Sequence, residues 1–554
     1  MNQTCIKLLG SVILIYLLGC SSDKDKSTNE TASLLNADSL SQMIQQLSSD
    51  SFLGRKPFTE GETITVAYLQ EKFKSMGVEP GNGDSYVQEV PMVSISATAA
   101  PSMQVESQGK KIQLKGYDDY VIWTDQTDSE QSFTADEMVF AGYGVVAPEH
   151  NWNDYEGIDV KGKIVMVLVN DPGFNAGDTS LFKGKTMTYY GRWTYKFEEA
   201  ARQGAKGCLV IHNTEAAGYP FNVQQSNWNT SRLRLDGRGT NEQLCNIIGW
   251  IRSDVVKQLI TFAGKDTSMI RQADQRGFKA VPLGINASTS MTVKTEYNKS
   301  ANVMGKITGS EYPDEYIVYT AHWDHFGIGK PDATGDSIYN GALDNASGTA
   351  ALMELARAFK NMKTKPLRTV VFVAVTAEEQ GLWGSAYYVQ HPVYPLDKTV
   401  ANINIDGLNN YGKTKDLVVV GKGQSELEDL LKSVLDQQNR VLSFETHPEA
   451  GYYFRSDHFN FAKAGVPALY TDSGADIEGK GVEEGNRLQD EYTEKYYHQP
   501  SDEYNTSWKM DGGMADLEVF LLVGQQLAAT HEWPEWKEGS EFKAIRDKSN
   551  TSRQ

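Results

Sequence analysis

The chain has 554 residues, with 53 Lys and Arg against 72 Asp and Glu, and its formal net charge is −19. No block rich in lysine or arginine interrupts this acidic average, so the sequence excludes a nucleic-acid-binding protein, whose surface needs a basic excess to neutralise phosphates. With 40% hydrophobic, 23% charged and 10% aromatic residues, the composition excludes a disordered or fibrous chain and indicates a globular protein of two or three domains.

The first 20 residues, MNQTCIKLLGSVILIYLLGC, combine one early lysine with a short apolar run and a cysteine at position 20. The run is too short to span a bilayer as a mature helix and is typical of a signal peptide, which we place at residues 1–19. The motif LLGC resembles the lipobox of bacterial lipoproteins, so Cys20 is predicted to carry a lipid. An ordinary secretory signal that contains a cysteine is the alternative.

The residues that follow are small and polar, as expected for a tether between a lipid anchor and a folded body. Together with the lipobox, they predict an exported bacterial lipoprotein whose only membrane contact is its N-terminal anchor. By analogy, Ser21 after the lipidated cysteine favours the outer membrane, and the sequence leaves open whether the protein faces the periplasm or the cell surface.

The pattern of strands and helices then predicts a polar tether at 20–37, the first part of the main domain at 38–130, an inserted domain at 131–290, the rest of the main domain at 291–535 and a polar C-terminal tail at 536–554.

The predicted insertion has its own strands and helices but no cluster of ligand-type residues. Its segments GYGVVAPEHNWNDYEGIDVKGKIV and AARQGAKGCLVIHN resemble the protease-associated domain, a module that typically sits beside peptidase active sites.

Two cysteines remain in the mature chain after Cys20, namely Cys208 and Cys245. Cys208 lies in a predicted buried strand, so a small core residue and a disulfide partner are both open interpretations.

After Asn298, apolar strands alternate with helices. The strands are predicted at Tyr316–Thr320, Val370–Val375, Val400–Ile405, Leu417–Val420 and Ala468–Tyr470, and the helices at Gly348–Asn361, Gly384–Gln390, Glu426–Gln438 and Ala515–Thr530. This order predicts an α/β fold with a mostly parallel mixed sheet between layers of helices. In such sheets ligands bind beyond the carboxyl ends of the strands.

The segments that follow the predicted strands carry six residues able to bind a metal or transfer a proton, namely His322, Asp344, Glu378, Glu379, Asp406 and His498. Imidazole and carboxylate groups without thiolate suit zinc, or a harder divalent ion, in a catalytic site. No two of them share a helix face as the histidines of a His-Glu-x-x-His motif do. The sequence therefore predicts one metal site assembled from several loops.

A site with two metal ions needs one carboxylate that bridges them, further ligands for each ion and a carboxylate that takes the proton of a water molecule. We assign the bridge to Asp344, one ion to His322 and Asp406, and the other to Glu379 and His498. Glu378 is then free to act as the general base. Asp324, in the loop of His322, is expected to hydrogen-bond a ligand imidazole from behind.

The series His-x-Asp, Gly-Ala-x-Asp-Asn-x-Ser-Gly, Ala-Glu-Glu, Asn-x-Asp and Tyr-His-x-x-x-Asp resembles the co-catalytic zinc exopeptidases. This family includes bacterial leucyl-type aminopeptidases, aminopeptidase Y and glutamate carboxypeptidase. The resemblance covers most of residues 38–530, and it implies two zinc ions per subunit, a peptide substrate and the same roles for the residues assigned above.

The segment GYYFRSDHFNFAKAGVPAL is similar to the Ser-Asp-His stretch of the same family. The resemblance implies that Tyr453 polarises the scissile carbonyl, although Tyr452 could serve equally or both could pack. It places Asp457 behind the metal ligands. Arg455 departs from the pattern expected of simple aminopeptidases, and it is predicted either to bind a substrate carboxylate or to be an ordinary surface residue.

These features predict a zinc-dependent aminopeptidase that hydrolyses N-terminal residues through a hydroxide bound to both metals, with Glu378 as base. A carboxypeptidase or dipeptidase of the glutamate carboxypeptidase kind is the first alternative, and Arg455 is the residue that favours it. A non-catalytic, receptor-like binding protein is the second, and the presence of all five ligands disfavours it. A one-metal acyltransferase of the glutaminyl cyclase kind is disfavoured because both His322 and Asp406 are present. The oligomeric state is not predicted.

Overall fold

The computed structural model describes residues 34–550. The predicted signal peptide, Cys20 and most of the predicted tether lie outside these residues. Within the described part of the chain, every helix is too short or too polar to cross a membrane.

The chain begins with two helices and a set of strands. The helices are α1 (Ala37–Leu47) and α2 (Glu60–Ser75), and the strands are β1 (Glu79–Pro80), β2 (Val87–Ala99), β3 (Ser102–Ser107), β4 (Lys110–Lys115), β5 (Tyr120–Trp123) and β6 (Glu130–Phe140). Helix α1 begins where the side chain of Asn36 accepts a hydrogen bond from the Ser39 amide, a standard N-cap. It buries one face, formed by residues at helical spacing, namely Leu40, Met43, Ile44 and Leu47.

The inserted region continues with short strands and helices. Its strands are β7 (Val146–Ala147), β8 (Trp152–Asn153), β9 (Ile164–Leu168), β10 (Gly207–His212), β11 (Ser231–Leu235) and β12 (Ile247–Arg252). Its helices are α3 (Pro172–Ala176), α4 (Trp193–Arg202), α5 (Thr214–Ala217), α6 (Asn222–Gln225), α7 (Ser253–Phe262) and α8 (Met269–Gln272). Strands β6, β9, β10 and β12 pair in parallel, and β5 closes this set in the antiparallel direction.

The remainder of the chain forms the main α/β domain. Its strands are β13 (Val281–Ile307), β14 (Tyr312–His322), β15 (Gly327–Ile328), β16 (Ile338–Tyr339), β17 (Arg368–Val375), β18 (Thr399–Asn404), β19 (Asp416–Val419), β20 (Val441–Phe444) and β21 (Ala468–Ser473). Its helices are α9 (Gly348–Lys360), α10 (Trp383–Gln390), α11 (Leu427–Gln437), α12 (His458–Lys463), α13 (Val482–Lys495), α14 (Met510–Ala528) and α15 (Lys543–Asn550).

The central sheet is mixed and mostly parallel, which confirms the predicted fold class. Strand β14 pairs in parallel with β17 on one side and with β18 on the other, and β18 pairs in parallel with β21. Strands β13 and β19 add antiparallel pairs. Every residue of β17 and β18 is buried, as expected for strands covered by helices on both faces.

Two long strands join the inserted region to the main sheet. Strand β13 pairs with β17 at one end, with β2 along its middle and with β6 near its start. It therefore continues without interruption through the boundary that the sequence predicts at residues 290 and 291. The inserted region is thus attached through a continuous pair of strands.

The C-terminal segment packs on the body of the protein. Trp536 and Phe542 are each 2% exposed, and the side chain of Arg546 in α15 is buried. The Trp536 indole donates a hydrogen bond to the carbonyl of Gly465. The sequence predicts a polar tail here, because three buried side chains among many polar residues leave little periodic signal.

Candidate metal centre

Six predicted site residues lie at one edge of the central sheet. His322 is the last residue of β14, the Glu378–Glu379 pair follows β17, and Asp406 follows β18. Because these three strands are parallel, their carboxyl ends bring the side chains to the same place. Asp344 comes from the turn that leads into α9, and His498 from the segment after α13.

His322, Asp344 and Asp406 form the first group. The Nε2 atom of His322 lies 3.2 Å from Asp344 Oδ1 and 3.1 Å from Asp406 Oδ1. The other oxygen of Asp406 accepts a hydrogen bond of 2.6 Å from the Ser456 hydroxyl, which leaves Oδ1 directed at the group. These three residues could hold one metal ion.

The second group shares Asp344 with the first. The Nε2 atom of His498 lies 3.2 Å from Asp344 Oδ2 and 3.3 Å from Glu379 Oε2. Asp344 therefore presents one carboxylate oxygen to each histidine, which is the arrangement that a bridging ligand requires. The predicted bridge and both predicted ligand pairs are brought together in this geometry.

The spacing of the ligand atoms fits zinc. Two ligand atoms that each lie about 2.0–2.1 Å from a tetrahedral zinc ion are about 3.3 Å apart. The four distances in the two groups run from 3.1 to 3.3 Å. The donor set of imidazole nitrogen and carboxylate oxygen also suits zinc.

The electrostatics of the cluster favour cations. Burial opposes a positive charge on His498, but Glu379 and Asp344 outweigh it and raise the pKa of His498 to about 10. For His322, burial is likewise outweighed by Asp406 and Glu378, and its pKa lies well above the usual range. A cluster whose carboxylates favour positive charge this strongly is suited to divalent metal ions.

Glu378 lies beside both groups without belonging to either. Its backbone amide donates a hydrogen bond of 3.0 Å to Asp324 Oδ1. Burial raises the pKa of Glu378 well above the usual range; His322 lowers it, while Asp406 and Glu379 raise it further. A carboxylate with a raised pKa next to a metal site has the properties of a general base.

The two aspartates expected to support the ligands are both fully buried. The carboxylate of Asp324 accepts a hydrogen bond from the backbone amide of Glu378. The backbone carbonyl of Asp324, rather than its carboxylate, lies 3.2 Å from His322 Nδ1. Asp457 accepts a hydrogen bond of 2.5 Å from the Ser385 hydroxyl. Burial raises the pKa of Asp324 to about 8 and that of Asp457 to about 7.

The structure does not bring Tyr453 to the cluster. Its hydroxyl is buried without a hydrogen-bond partner among residues 34–550, and its ring packs against Gly421 and His458. Burial and then Glu541 raise the pKa of this phenol, and no carboxylate of the cluster contributes. The geometry therefore favours the packing interpretation of Tyr453.

Two other tyrosines do lie beside the carboxylates. The ring of Tyr497 stacks on His498 with 3.7 Å between ring centroids, and after burial it is Asp344 and Glu379 that raise the pKa of Tyr497 most. For Tyr470, burial and then Asp406 raise the pKa. The sequence offered a signal for Tyr497, since it directly precedes a predicted ligand.

Two further residues belong to the site: His325, which lies inside a predicted motif without a ligand role left for it, and Arg55, which sequence reasoning missed. His325 Nδ1 lies 2.6 Å from Glu379 Oε1. Arg55 is buried and donates hydrogen bonds to four backbone carbonyls, those of Leu47, Trp323, Asn340 and Gly341. It thereby ties the loop after β14 and the start of the turn that carries Asp344 to the N-terminal part of the chain, through contacts that no local motif encodes.

Asp502 supports the bridging residue from the other side. Its carboxylate accepts hydrogen bonds from the backbone amides of Leu343 and Asp344 at 3.1 to 3.2 Å. It is the aspartate of the Tyr-His-x-x-x-Asp motif. The motif thus supplies one predicted ligand and one residue that fixes the backbone of another.

Arg455 follows the turn Tyr452–Phe454 and lies where the inserted region meets the main domain. Its Nη2 donates a hydrogen bond to the carbonyl of Ala450, and its guanidinium lies over the Tyr452 ring.

The two cysteines of the inserted region, Cys208 and Cys245, are both buried and free, so the structure favours the core interpretation over a disulfide.

Comparison with known proteins bears on the class of this site. Residues 302–520 match the model of peptidase family M28, and this part of the chain carries all six residues of the cluster. The predicted resemblance to the co-catalytic zinc exopeptidases is confirmed there. The match concerns residues 302–520, which are similar to a peptidase domain of this family.

Individual relatives cover less of the chain. It is 35% identical over 130 residues to a mouse protein named aminopeptidase NAALADL1, which is 23% of this chain and 16% of that protein. It is 25% identical over 321 residues to carboxypeptidase Q of Xenopus laevis, with 57% and 56% covered. The chain thus spans less than two thirds of the length of these relatives.

A solved structure shows the same fold. The aminopeptidase from Aneurinibacillus sp. strain AM-1 superposes with a TM-score of 0.50 at 20% sequence identity, covering 91% of this chain and 97% of that protein. The likeness includes the inserted region as well as the main domain.

Proposed function

We propose that the protein is a zinc-dependent exopeptidase, and specifically an aminopeptidase that removes N-terminal residues from peptides. The observation that carries this proposal is the pair of ligand groups that share Asp344, with Glu378 beside both. The match to family M28 and the names of the similar proteins support it.

The site would hold two zinc ions. His322 and Asp406 would bind one, Glu379 and His498 the other, and Asp344 both. Bound there, the ions would supply positive charge that polarises the scissile carbonyl and acidifies water.

The chain's own residues would handle the protons. The Glu378 carboxylate would take a proton from the attacking water and then deliver it to the nitrogen of the leaving amine. The hydroxyl of Tyr497 or Tyr470 is better placed than that of Tyr453 to donate a hydrogen bond to the carbonyl oxygen as it becomes negative.

A carboxypeptidase or dipeptidase is the second candidate. Arg455, whose Nε is buried without a hydrogen-bond partner in residues 34–550, favours it, because a guanidinium with a free donor can bind a terminal carboxylate. The likeness to carboxypeptidase Q supports the same candidate. A receptor-like role without chemistry gains no support, since both ligand groups and the base are in place.

One experiment separates these functions. A single peptide is offered to the zinc-loaded protein in three forms, with both ends free, N-acetylated, and C-amidated, and the Glu378→Gln variant serves as the blank. The aminopeptidase proposal expects cleavage to be lost only on acetylation. Loss only on amidation would establish a carboxypeptidase, and no cleavage of any form would contradict a peptidase function.

We also propose that the protein is exported and anchored by a lipid on Cys20, at the outer membrane of a bacterium. The lipobox-like motif LLGC supports this. Labelled palmitate should be incorporated into the full chain and not into a Cys20→Ala variant. Equal labelling of both would refute the anchor.

A further inference from the structure

We propose that one face of the three-stranded sheet formed by β19, β20 and β21 binds the positively charged side chain of a basic substrate residue, with Asp472 and Glu445 as its acceptors. The proposal rests on the proposed peptidase function and deepens it, because it names a substrate class. Three observations carry it: the place of Asp472 beside the metal centre, two carboxylates without a cation, and the apolar surface between them.

Asp472 lies at the same edge of the sheet as the predicted metal ligand Asp406. Tyr470 of β21 pairs in parallel with Asn404 of β18, and Asp472 and Asp406 follow these two paired residues by two positions each. Neighbouring parallel strands lie about 5 Å apart and end at one edge. The Asn404 side-chain amide also donates a hydrogen bond to the Ser456 hydroxyl, which donates one to Asp406. The strand ends thus place Asp472 beside the first ligand group.

The segment of Asp472 also contacts the helix that leads to His498. Gln489 of α13 donates a hydrogen bond of 3.1 Å from its side-chain amide to the carbonyl of Ser473, the residue after Asp472. Helix α13 ends three residues before His498. The segment around Asp472 therefore contacts two elements that each lead to a predicted metal ligand, Asp406 in one case and His498 in the other.

The carboxylate of Asp472 is held in place without a cation. Its Oδ1 accepts a hydrogen bond of 2.7 Å from the Ser473 amide, its side chain is exposed, and it forms no ion pair within residues 34–550. Desolvation by the surrounding protein raises the pKa of Asp472; the Ser473 amide lowers it, and Asp406 raises it further. A cation bound beside this carboxylate would offset both of the effects that oppose its charge.

Glu445 supplies a second carboxylate on the same face of this sheet. Val418 pairs with Asp472 on one side and with Ser443 on the other, and Glu445 comes two residues after Ser443, which returns it to that face. Its Oε1 accepts a hydrogen bond of 2.9 Å from the Gly421 amide. Its Oε2 is buried and has no hydrogen-bond partner in the described part of the chain. A buried carboxylate oxygen without a donor indicates that a donor comes from a bound molecule.

The surface between the two carboxylates is apolar. The Val420 amide donates a hydrogen bond to the Tyr470 carbonyl, so these two residues form the next row across the sheet. Val418 and Tyr470 are half-buried, and the Tyr470 ring is stacked on His458 with 4.7 Å between ring centroids. The methylene stem of a lysine or arginine packs on such a surface, its cation interacts with an aromatic ring, and carboxylates bind its charged end.

A substrate offers two kinds of cation, its α-ammonium group and a basic side chain. In an aminopeptidase the α-ammonium group is one carbon away from the scissile carbonyl, so it stays next to the metal ligands. A lysine or arginine side chain reaches several ångströms further and can extend to the neighbouring end of β21. We therefore assign the site to the side chain, and substrates can distinguish the two.

The test uses four dipeptides with free ends: Arg-Ala, citrulline-Ala, Ala-Arg and Ala-citrulline. Citrulline has the shape of arginine without its charge, and free ends allow cleavage by an aminopeptidase, a carboxypeptidase or a dipeptidase. KM and kcat are measured separately with the full-length, zinc-loaded protein. We expect KM to be about fivefold or more lower for arginine than for citrulline at the recognised position. A difference in the first pair assigns the first residue, and one in the second pair assigns the second.

Variants locate the effect. Asp472→Asn keeps the acceptor for the Ser473 amide, removes the charge, and should bring the KM ratio to within about twofold, with kcat for the citrulline substrate changed by less than about threefold. Glu445→Gln should also lower the ratio. Asp472→Lys should make glutamate preferred over glutamine at the recognised position, which a purely structural role does not predict. Asp436→Asn is the matched control, since Asp436 is exposed and paired with Lys432.

The outcomes are distinct. Equal KM values within both pairs, or a ratio that survives in Asp472→Asn and in Glu445→Gln, would overturn the basic-residue site and leave the peptidase function standing. An equal rise in KM for all four dipeptides in Asp472→Asn would assign this carboxylate to the α-ammonium group and would also overturn the site. Hydrolysis of none of them would overturn both proposals.

Thermal melting of each variant identifies loss of fold. In that case the ionic strength decides, because the preference of the unaltered protein for arginine should fall as the salt concentration rises. A preference that salt does not change would overturn the site.

Discussion

His325 shows how a side chain that contacts a metal ligand can set the strength of a metal site. Its Nδ1 lies 2.6 Å from Glu379 Oε1, while Glu379 Oε2 lies 3.3 Å from His498 Nε2. The hydrogen bond therefore leaves one oxygen of Glu379 for the metal and fixes its direction. Such partners of metal ligands typically contribute 10- to 100-fold in metal affinity.

We predict that His325→Ala weakens the binding of one of the two zinc ions by about 10- to 100-fold. His325→Asn should recover most of this affinity, because its amide can donate from nearly the position of Nδ1. Chelator competition on the metal-free protein measures both ions. Unchanged affinity in His325→Ala, or equal weakening of both ions, would show that His325 does not act through Glu379.

His458 predicts a dependence of stability on pH. It is fully buried, neither ring nitrogen has a hydrogen-bond partner in the described part of the chain, and burial lowers its pKa to about 3. An unfolded histidine titrates near 6.5, so the unfolded state binds the extra proton between pH 6.5 and 3. This contribution to stability is complete above pH 6.5 and is lost as the pH falls.

We expect the free energy of unfolding to lose about 2 kcal/mol through His458 between pH 7.5 and pH 5. His458→Phe keeps an aromatic ring against Tyr470 and should lack this loss. Urea unfolding at both pH values measures the difference. His447→Phe, at an exposed position, is the control, and a parallel loss in His458→Phe would contradict the assignment.

At the scale of elements, Arg55 connects the loops that carry the ligands. Its guanidinium joins the end of α1 to the loop after β14 and to the turn before α9, through four carbonyl oxygens. Burial lowers its pKa to about 10, against the opposing effect of Asp502 and other nearby carboxylates. The ligands are thus positioned by a residue in a different part of the sequence.

We predict that Arg55→Met lowers the free energy of unfolding by about 3 kcal/mol or more, because it leaves buried carbonyls without donors. It should also weaken zinc binding, although Arg55 touches no ligand side chain. Urea unfolding and chelator competition measure the two effects. Arg487→Met, at an exposed site on α13, should change neither, and an equally small effect of Arg55→Met would refute this role.

Gly451 marks the close approach of the inserted region to the main domain. Its φ is +66°, and a Cβ atom there would collide with the sulfur of Met187. Gly423 has a φ of +78° but open space around it. Alanine substitutions at the two positions therefore distinguish the free-energy cost of backbone strain from the cost of the close contact with Met187.

We expect Gly423→Ala to cost about 1 kcal/mol of unfolding free energy, from the left-handed backbone alone. Gly451→Ala should cost about 2 to 4 kcal/mol, because Met187 must also move. Denaturant unfolding of both variants gives the comparison. Equal costs would mean that the contact between Met187 and Gly451 is not tight.

At the scale of the whole molecule, the sequence predicts the features of the fold and site that follow from the order of the strands. It predicts few of the features that depend on contacts between residues far apart in the chain. His322, Glu379 and Asp406 could be found because parallel strands end at one edge. Tyr453 was placed by its spacing in a motif, and spacing does not fix where a side chain points. Arg55 acts mainly through partners hundreds of residues away, which no local pattern reveals.

The inserted region and the main domain meet beside the metal centre. The Met187 amide donates a hydrogen bond to the Pro448 carbonyl, and the same segment of the main domain continues to Ser456, whose hydroxyl donates a hydrogen bond to Asp406. The C-terminal segment, which the sequence predicts as a polar tail, packs instead through Trp536 and Phe542.

The central claim is that Asp344 bridges two zinc ions. Anomalous diffraction at the zinc absorption edge, from crystals of the zinc-loaded protein, tests it most directly. We expect two peaks, one between His322 and Asp406 and one between Glu379 and His498, with a carboxylate oxygen of Asp344 directed at each. A single peak, or two peaks that do not share Asp344, would contradict it.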